Sequence, residues 1–466
     1  MVRDAITNMD AGDPKRSSGG LKRSLTLWHL IIYGIIVIQP TAPMPIFGVV
    51  STEARGHVVT AVLIAMVAML FTAISYGRMA RAYPSAGSAY TYVGREIHPA
   101  LGFLTGWGMV MDYILNPLIC TIWCSKAAGN IAPEIPYIGW AILFAGLFTV
   151  LNLRGVRTSA RINDGLAAAM GVVILIFLVQ VVRFVLGVPA HPLGFFTRPF
   201  YDSQTFSASA LFTGTSIAAL TYIGFDGVST LSEEVENPRR NILVATVLVC
   251  LITGLLASVE VYAAQLVWPA RKPFPDVDTG FVYVAGLAGG RLLFQLVNLT
   301  LLVATIGSGM ASQLGAARLL YGMGRDDAIP RSFFGVIEPK RGIPRNSVVF
   351  VGAIALAGAL LVAVRLRGRE LFSYQLGAEM LNFGAFIAFM GVNAASFVRY
   401  FVREEKKSFG QGVPPLLGFA ICLFIWLNLR WQAKLGGAAW MLAGIAYGWI
   451  KTRGFRKTIS FEVPQE

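Results

Sequence analysis

The sequence predicts an all-α polytopic membrane protein with twelve transmembrane helices. Ten of them would form a 5+5 inverted repeat in which helices 1 and 6 are broken, and two more are appended. Three observations predict this. Charged residues make up only 14% of the 466-residue chain, and mean hydropathy is +0.62, where a soluble domain carries about 25% charge. Apolar runs of membrane-spanning length recur along nearly the whole chain. The first and sixth of these runs are interrupted by residues that break helices.

The elements follow in order. Residues 1–24 are polar and rich in Gly and Ser, and read as a disordered cytoplasmic tail. They lack the short apolar core and cleavage site of a signal peptide, so the first run is expected to remain as a span. The spans read 27–51, 58–81, 98–126, 136–153, 162–187, 206–231, 240–267, 291–323, 346–365, 377–400, 414–430 and 434–451. The membrane domain is therefore 25–451: one repeat over 25–187, a second over 206–400, and appended helices over 414–451. Residues 452–466 form a C-terminal tail. Between spans 2 and 3, RMARAYPSAGSAYTYVGREIHP holds a short amphipathic piece with Tyr90 and Tyr92. Between spans 8 and 9, GRDDAIPRSFFGVIEPKRGIPRN suits a folded loop on the membrane surface.

With the N-terminus in the cytoplasm, 27 of the 39 Lys and Arg residues fall on that side. Short-loop Lys and Arg set orientation, so both termini are expected to be cytoplasmic. The short tails suit a bacterial inner (plasma) membrane. The net charge of +14 is spread over these loops, which argues against a nucleic-acid partner. Cys120, Cys124, Cys250 and Cys422 lie in apolar runs as packing residues, with no metal-ligand spacing. His29, His57, His98 and His191 are scattered at span ends and in loops. No nucleophile–base pair and no phosphate loop occurs, so neither an enzyme nor direct use of ATP is expected. No cofactor and no metal is expected, and nothing points to an oligomeric state.

Span 6 reads FSASALFTGTSIAALTYIGFDGVSTLSEE. Gly224 and Gly227 weaken the helix, and Asp226 sets a carboxylate at membrane depth, at a cost of several kcal/mol unless paired or hydrated. Irregular backbone is tolerated there only beside protein or a water-filled cavity. Span 1, LIIYGIIVIQPTAPMPIFGVVS, places Pro40, Pro43 and Pro45 within six residues, next to Gln39. A proline inside a helix costs about 3 kcal/mol or more. Two five-span halves that each open on a broken helix point to inverted repeats around a midplane binding site.

Over residues 25–450 the chain resembles the amino acid–polyamine–organocation (APC) transporter superfamily. The motifs are YIGFDGVSTLSEEVENPRRNI, SARIND at the start of span 5, and ASQLGAARLLYGMGRDDAIP in and after span 8. IQPTAPMPIFGVVS, FTAISYGRMARAYPSAGSAYTYVGREI and GWGMVMDYILNP are more similar to the bacterial putrescine-importer branch than to the common amino acid permeases. Those permeases carry a Gly-Ser-Gly-like break in span 1, where this chain has Gln-Pro-Thr-Ala-Pro. The resemblance implies 5+5 inverted repeats and alternating access.

It also implies a substrate site at the breaks. The usual amino acid site offers backbone N–H groups to a carboxylate, but the three prolines here remove three donors and leave carbonyls, which favour a cation. The expected site comprises Ile38, Gln39, Thr41 and Ala42 at the first break, and Gly224, Asp226 and Gly227 at the second. Asp112 in span 3 and Glu379 near the outer end of span 10 add carboxylates, and Tyr113, Tyr222 and Phe225 add aromatic walls that suit ammonium groups. Each has a plainer reading. Asp112 could pair with a neighbouring helix, Asp226 could cap or gate the broken helix, Glu379 could face the outer vestibule, and the rings could simply pack.

Glu233, Glu234, Arg239 and Arg78 are candidates for a cytoplasmic gate, against the alternative of a solvated loop. Some superfamily members carry a proton-shuttling lysine in span 5, and that position falls here on Met170. Ser308 and Ser312 in span 8 could offer hydroxyls to Na+, although small residues also pack helices closely. Coupling to H+, or exchange of substrates, ranks above coupling to Na+. The function expected is import of a small organic amine, putrescine or another polyamine, by a secondary active transporter. The alternative is an amino acid permease of the same fold. A non-transporting ligand sensor, the rival of another class, would bear a signalling domain, and the sequence has room for none.

Overall fold

The computed structural model describes residues 26–83, 88–155, 160–231, 235–269, 272–325, 327–339, 341–366, 369–404 and 408–452. The expected tails, save Thr452, lie outside the described residues. The first crossing is split into α1 (Leu27–Ile38) and α2 (Phe47–Glu53). Then come α3 (Val58–Ala82), the short α4 (Ser88–Glu96), α5 (Pro99–Gly129), α6 (Tyr137–Leu153) and α7 (Ala160–Leu186). The second half opens with α8 (Ala208–Ala218), followed by 3-10 turns at Ala219–Tyr222 and Phe225–Leu231. It continues through α9 (Pro238–Val267), α10 (Gly280–Arg325), α11 (Arg331–Phe334), α12 (Arg345–Val362) and α13 (Tyr374–Phe397). The chain closes with α14 (Phe409–Leu427) and α15 (Trp431–Lys451).

Eight helical stretches among the described residues are long and apolar enough to cross a bilayer. Two shorter apolar helices, Leu27–Ile38 and Tyr137–Leu153, accompany them. Large apolar side chains such as Leu175, Leu186, Leu292 and Leu435 point outward, as a surface bathed in lipid tails allows. The chain is an integral membrane protein. A two-residue hairpin, β1 (Arg365–Leu366) with β2 (Arg369–Glu370), caps one loop.

A short helix precedes the span read at 291–323. α10 begins at Gly280 and kinks at Gly290, whose φ of +75° is open to glycine. The kink separates a helical stretch over Gly280–Gly289 from the longer helix that follows to Arg325.

Helices approach closely where glycines remove side chains. A Cβ at Gly77 would meet Leu243 at 2.6 Å, which seats α3 on α9. A Cβ at Gly384 would run into the Gly108 carbonyl, which seats α13 on α5. Buried amides then bond across helices. Asn382 donates to the Ser216 carbonyl at 2.6 Å, Asn298 to the Ala127 carbonyl at 2.8 Å, and Asn152 to Gln313 Oε1 at 2.8 Å. In an apolar medium these groups have few other partners, so such bonds fix helix rotation.

Candidate functional site

The first break follows from proline chemistry. α1 is capped by Thr26 and stops at Ile38. Gln39 then adopts φ +71°, a conformation uncommon for a residue with a side chain. Its Nε2 donates to the Ala304 carbonyl of α10 at 2.9 Å, which anchors the turn. Inside the break, Ala42 N–H bonds to Gln39 O at 3.1 Å and Met44 N–H to Thr41 O at 3.0 Å. With Pro40, Pro43 and Pro45 unable to donate, few amides remain for a ligand, whereas the proline carbonyls persist. Thr41 is buried, and its hydroxyl lies 3.8 Å from the Met170 sulfur of α7. Ile38 is buried beside Gly224, and Ala42 is half-buried.

The second break centres on Gly224, at φ +116°. A side chain there would be strained, and its Cβ would press on Val37 Cγ1 at 3.2 Å. The two breaks thus pack directly on each other. Asp226 follows. It is the second residue of the Phe225–Leu231 3-10 turn, and its carboxylate lies against the backbone at Gly224 and Gly227.

α5 supplies the facing wall. Asp112 is 8% exposed and Asp226 is 9% exposed. The two carboxylates lie within electrostatic reach of each other, and both are within reach of Tyr113 and Tyr76. Tyr113 packs over Gly315 of α10, where a Cβ would stand 3.4 Å from the ring. Pro117, one turn on, cannot donate to the Tyr113 carbonyl, which loosens α5 beside the site. The fold therefore sets Gly224 against Val37 and Ile38, and brings Asp112 and Tyr113 within electrostatic reach of Asp226, while Gln39 and Thr41 reach α10 and α7. Together they present carbonyls, two carboxylates and a ring, an arrangement that attracts cations.

Other expected residues sit elsewhere. Tyr222 is fully buried and donates to the Val62 carbonyl of α3 at 2.9 Å. Phe225 is fully buried in a ring cluster, 5.4 Å from Tyr76 and 5.4 Å from Phe389 between centroids. Glu379 faces no open vestibule. It is fully buried, and its Oε1 lies 2.7 Å from Arg430 Nε, with Gln375 bridging it to Glu53. Ser308 and Ser312 continue, at four-residue steps, the α10 stripe that meets Gln39 at Ala304. The Ser312 hydroxyl bonds back to its own helix, to the Ser308 carbonyl at 2.8 Å and the Gly309 carbonyl at 3.2 Å. Glu233 and Glu234 lie outside the described residues, as does the Arg239 side chain. The Arg78 guanidinium donates to the carbonyls of Gly410 at 2.8 Å and Gln411 at 3.0 Å, at the start of α14.

Three acidic groups escaped the sequence reading or its emphasis. Glu96 of α4 is fully buried and holds Arg399 and Arg403 at the end of α13, with Tyr83 donating to it at 2.6 Å. Burial and the Glu96 contact push the Tyr83 phenol up from its ordinary value. Lys126 at the end of α5 pairs with Asp278. Glu260 stands inside the apolar run LLASVEVYAAQLV of α9. A lone carboxylate in such a run is a signal that could have been read.

A family model described as amino acid permease matches residues 30–454. The chain is 34% identical over 458 residues to the low-affinity putrescine importer PlaP of Escherichia coli (strain K12), covering 96% of this chain and 97% of that one. It is 25% identical over 476 residues to the branched-chain amino acid permease BcaP of Bacillus subtilis (strain 168), covering 94% of each. It is 23% identical over 465 residues to the methylthioribose transporter of the same strain, covering 94% and 95%.

Proposed function

Because the chain belongs to the amino acid permease family of the APC superfamily, we propose that it imports a small organic diamine, putrescine or a close relative, by alternating access. It is a transporter, not an enzyme, and its substrates fall among small amines and amino acids. One observation carries the choice of amine. Asp112 and Asp226 come within electrostatic reach of each other at the second break, and the proline-rich first break keeps few free amides. Two neighbouring carboxylates attract ammonium groups and repel a substrate carboxylate. The putrescine importer, similar over nearly the full length, supports the same reading.

The architecture proposed is twelve crossings. They are α1 with α2, α3, α5, α6, α7, α8 with its 3-10 turns, α9, α10, α12, α13, α14 and α15. The first five and the next five form inverted repeats, each opened by a broken helix, and α14 and α15 are appended. Ile38, Gln39, Thr41, Ala42, Asp112, Tyr113, Gly224, Asp226 and Gly227 line the substrate site. Tyr222, Phe225 and Glu379 stabilise the walls around it. Both termini face the cytoplasm of a bacterium, across its inner membrane. Proton symport or exchange drives uptake in preference to Na+: Met170 stands where a shuttling lysine would sit, so any proton is carried by a carboxyl instead. The branched-chain permease relative keeps a neutral amino acid as the second reading.

The test is uptake into proteoliposomes of labelled putrescine against labelled leucine, with and without an acid-outside gradient. Putrescine uptake alone is the expected result. Leucine uptake alone would sink the amine assignment and send attention back to the remaining amides of the first break.

A further inference from the structure

Glu260 is the one acidic side chain on α9, and it is fully buried among protein groups. Neither carboxylate oxygen has a hydrogen-bond partner among the described residues. α9 packs on α1, α3, α7, α10 and the second break. Among the titratable groups these elements carry are Tyr33 of α1, His57 at the cap of α3, Tyr76 of α3, Arg183 of α7, Tyr283 of α10, and Tyr222 and Asp226 of the second break. Tyr262 lies on α9 itself. None is within electrostatic reach of Glu260.

Its level in the bundle is bracketed by two contacts. Val249 of α9 meets Gly34 of α1, where a Cβ would stand 2.5 Å away. Further along, Gln265 of α9 accepts from Ser51 of α2 at 3.3 Å. Glu260 lies between them, eleven residues beyond Val249 and so on the same stripe of α9. The chain that passes this level between Gly34 and Ser51 is the first break. A buried carboxylate with no partner is untenable, and such a group neutralises by taking a proton.

We propose that Glu260 is a proton-binding site, which loads and unloads as the first break moves and so couples transport to a proton gradient. This rests on the transporter reading above, but not on the substrate being an amine. The proton comes from water when the cleft opens, adds to a carboxylate oxygen of Glu260, and returns to water on the other side. On this proposal the Glu260 carboxyl holds its proton while neither of its oxygens has a partner. It can give up its proton only where movement of the break admits water to solvate the anion.

Infrared difference spectroscopy between neutral and alkaline pH, on the purified full chain in lipid, reads the proton directly. The unmodified protein should show a protonated-carboxyl band that Glu260→Gln lacks. Counterflow of labelled putrescine or leucine should persist in Glu260→Gln, while accumulation driven by an acid-outside gradient is lost. Glu260→Asp keeps an acid at the site, so it should shift the band and retain part of that accumulation. Identical bands in the unmodified protein and Glu260→Gln would overturn the proposal, as would gradient-driven accumulation that survives in Glu260→Gln. Should the unmodified protein carry leucine and not putrescine, the amine reading fails while the band still decides the proton site.

Discussion

The Thr41 hydroxyl stands 3.8 Å from the Met170 sulfur, so the first break rests against α7. Sulfur is a weak acceptor and carries no charge, which leaves the break open to a cation from outside. Met170→Lys should fill that place with a fixed ammonium and repel an amine. KM for putrescine should rise by about tenfold or more, the effect of roughly 1.4 kcal/mol of repulsion. An unchanged KM would mean that the amine does not approach the first break.

Asp112→Asn keeps the shape of the side chain and removes its charge. A hydrogen bond to a charged group contributes about 1.5–3 kcal/mol, so putrescine affinity should fall by roughly ten- to a hundredfold. Size-exclusion profile and melting temperature should hold, because no described ion pair depends on Asp112. Uptake kinetics that match the unmodified protein would remove Asp112 from the site.

Gly224 and Gly227 differ in what they tolerate. Gly224→Ala forces a side chain to φ +116° and presses it on Val37 at 3.2 Å, a strain of about 1–3 kcal/mol. Gly227→Ala would make only an ordinary contact with Val37 at 3.7 Å. Thermal unfolding in detergent should therefore separate the two, with Gly224→Ala clearly the less stable. Equal melting temperatures would contradict the positive φ at Gly224.

The Arg430–Glu379 pair joins the start of α15 to α13. The Glu379 side chain is fully buried and that of Arg430 is 27% exposed. Removing the arginine strands a buried carboxylate, which costs about 3 kcal/mol or more. Arg430→Gln should lower stability sharply, and Glu379→Gln in the same chain should restore much of it. A double-mutant cycle with no coupling would show the pair to be idle.

The parts of this protein that depend on local chemistry were legible in the sequence. Pro40, Pro43 and Pro45 stop α1 because a proline has no N–H to give, and Gly224 allows the turn after α8 because it has no Cβ. Apolar runs of bilayer length set most span limits to within a few residues. The kink at Gly290 and the early start of α10 were not legible, since Gly280–Gly289 is too short to read as a span.

Which way each side chain turns was decided only by the tertiary structure. Tyr222, Phe225 and Asp226 are near neighbours in one motif, yet the first bonds to α3, the second joins a ring cluster and the third comes within electrostatic reach of Asp112 on α5. Glu379 looked like a vestibule residue until Arg430, fifty-one positions later, was brought against it. Glu260 passed unnoticed inside an apolar run, and only the packing around α9 reveals that it has no partner. The reason is physical. A bilayer-length run needs nothing beyond its own composition to become a helix, whereas helix rotation and partner choice depend on close approaches such as Gly108 with Gly384, made between segments far apart in the chain.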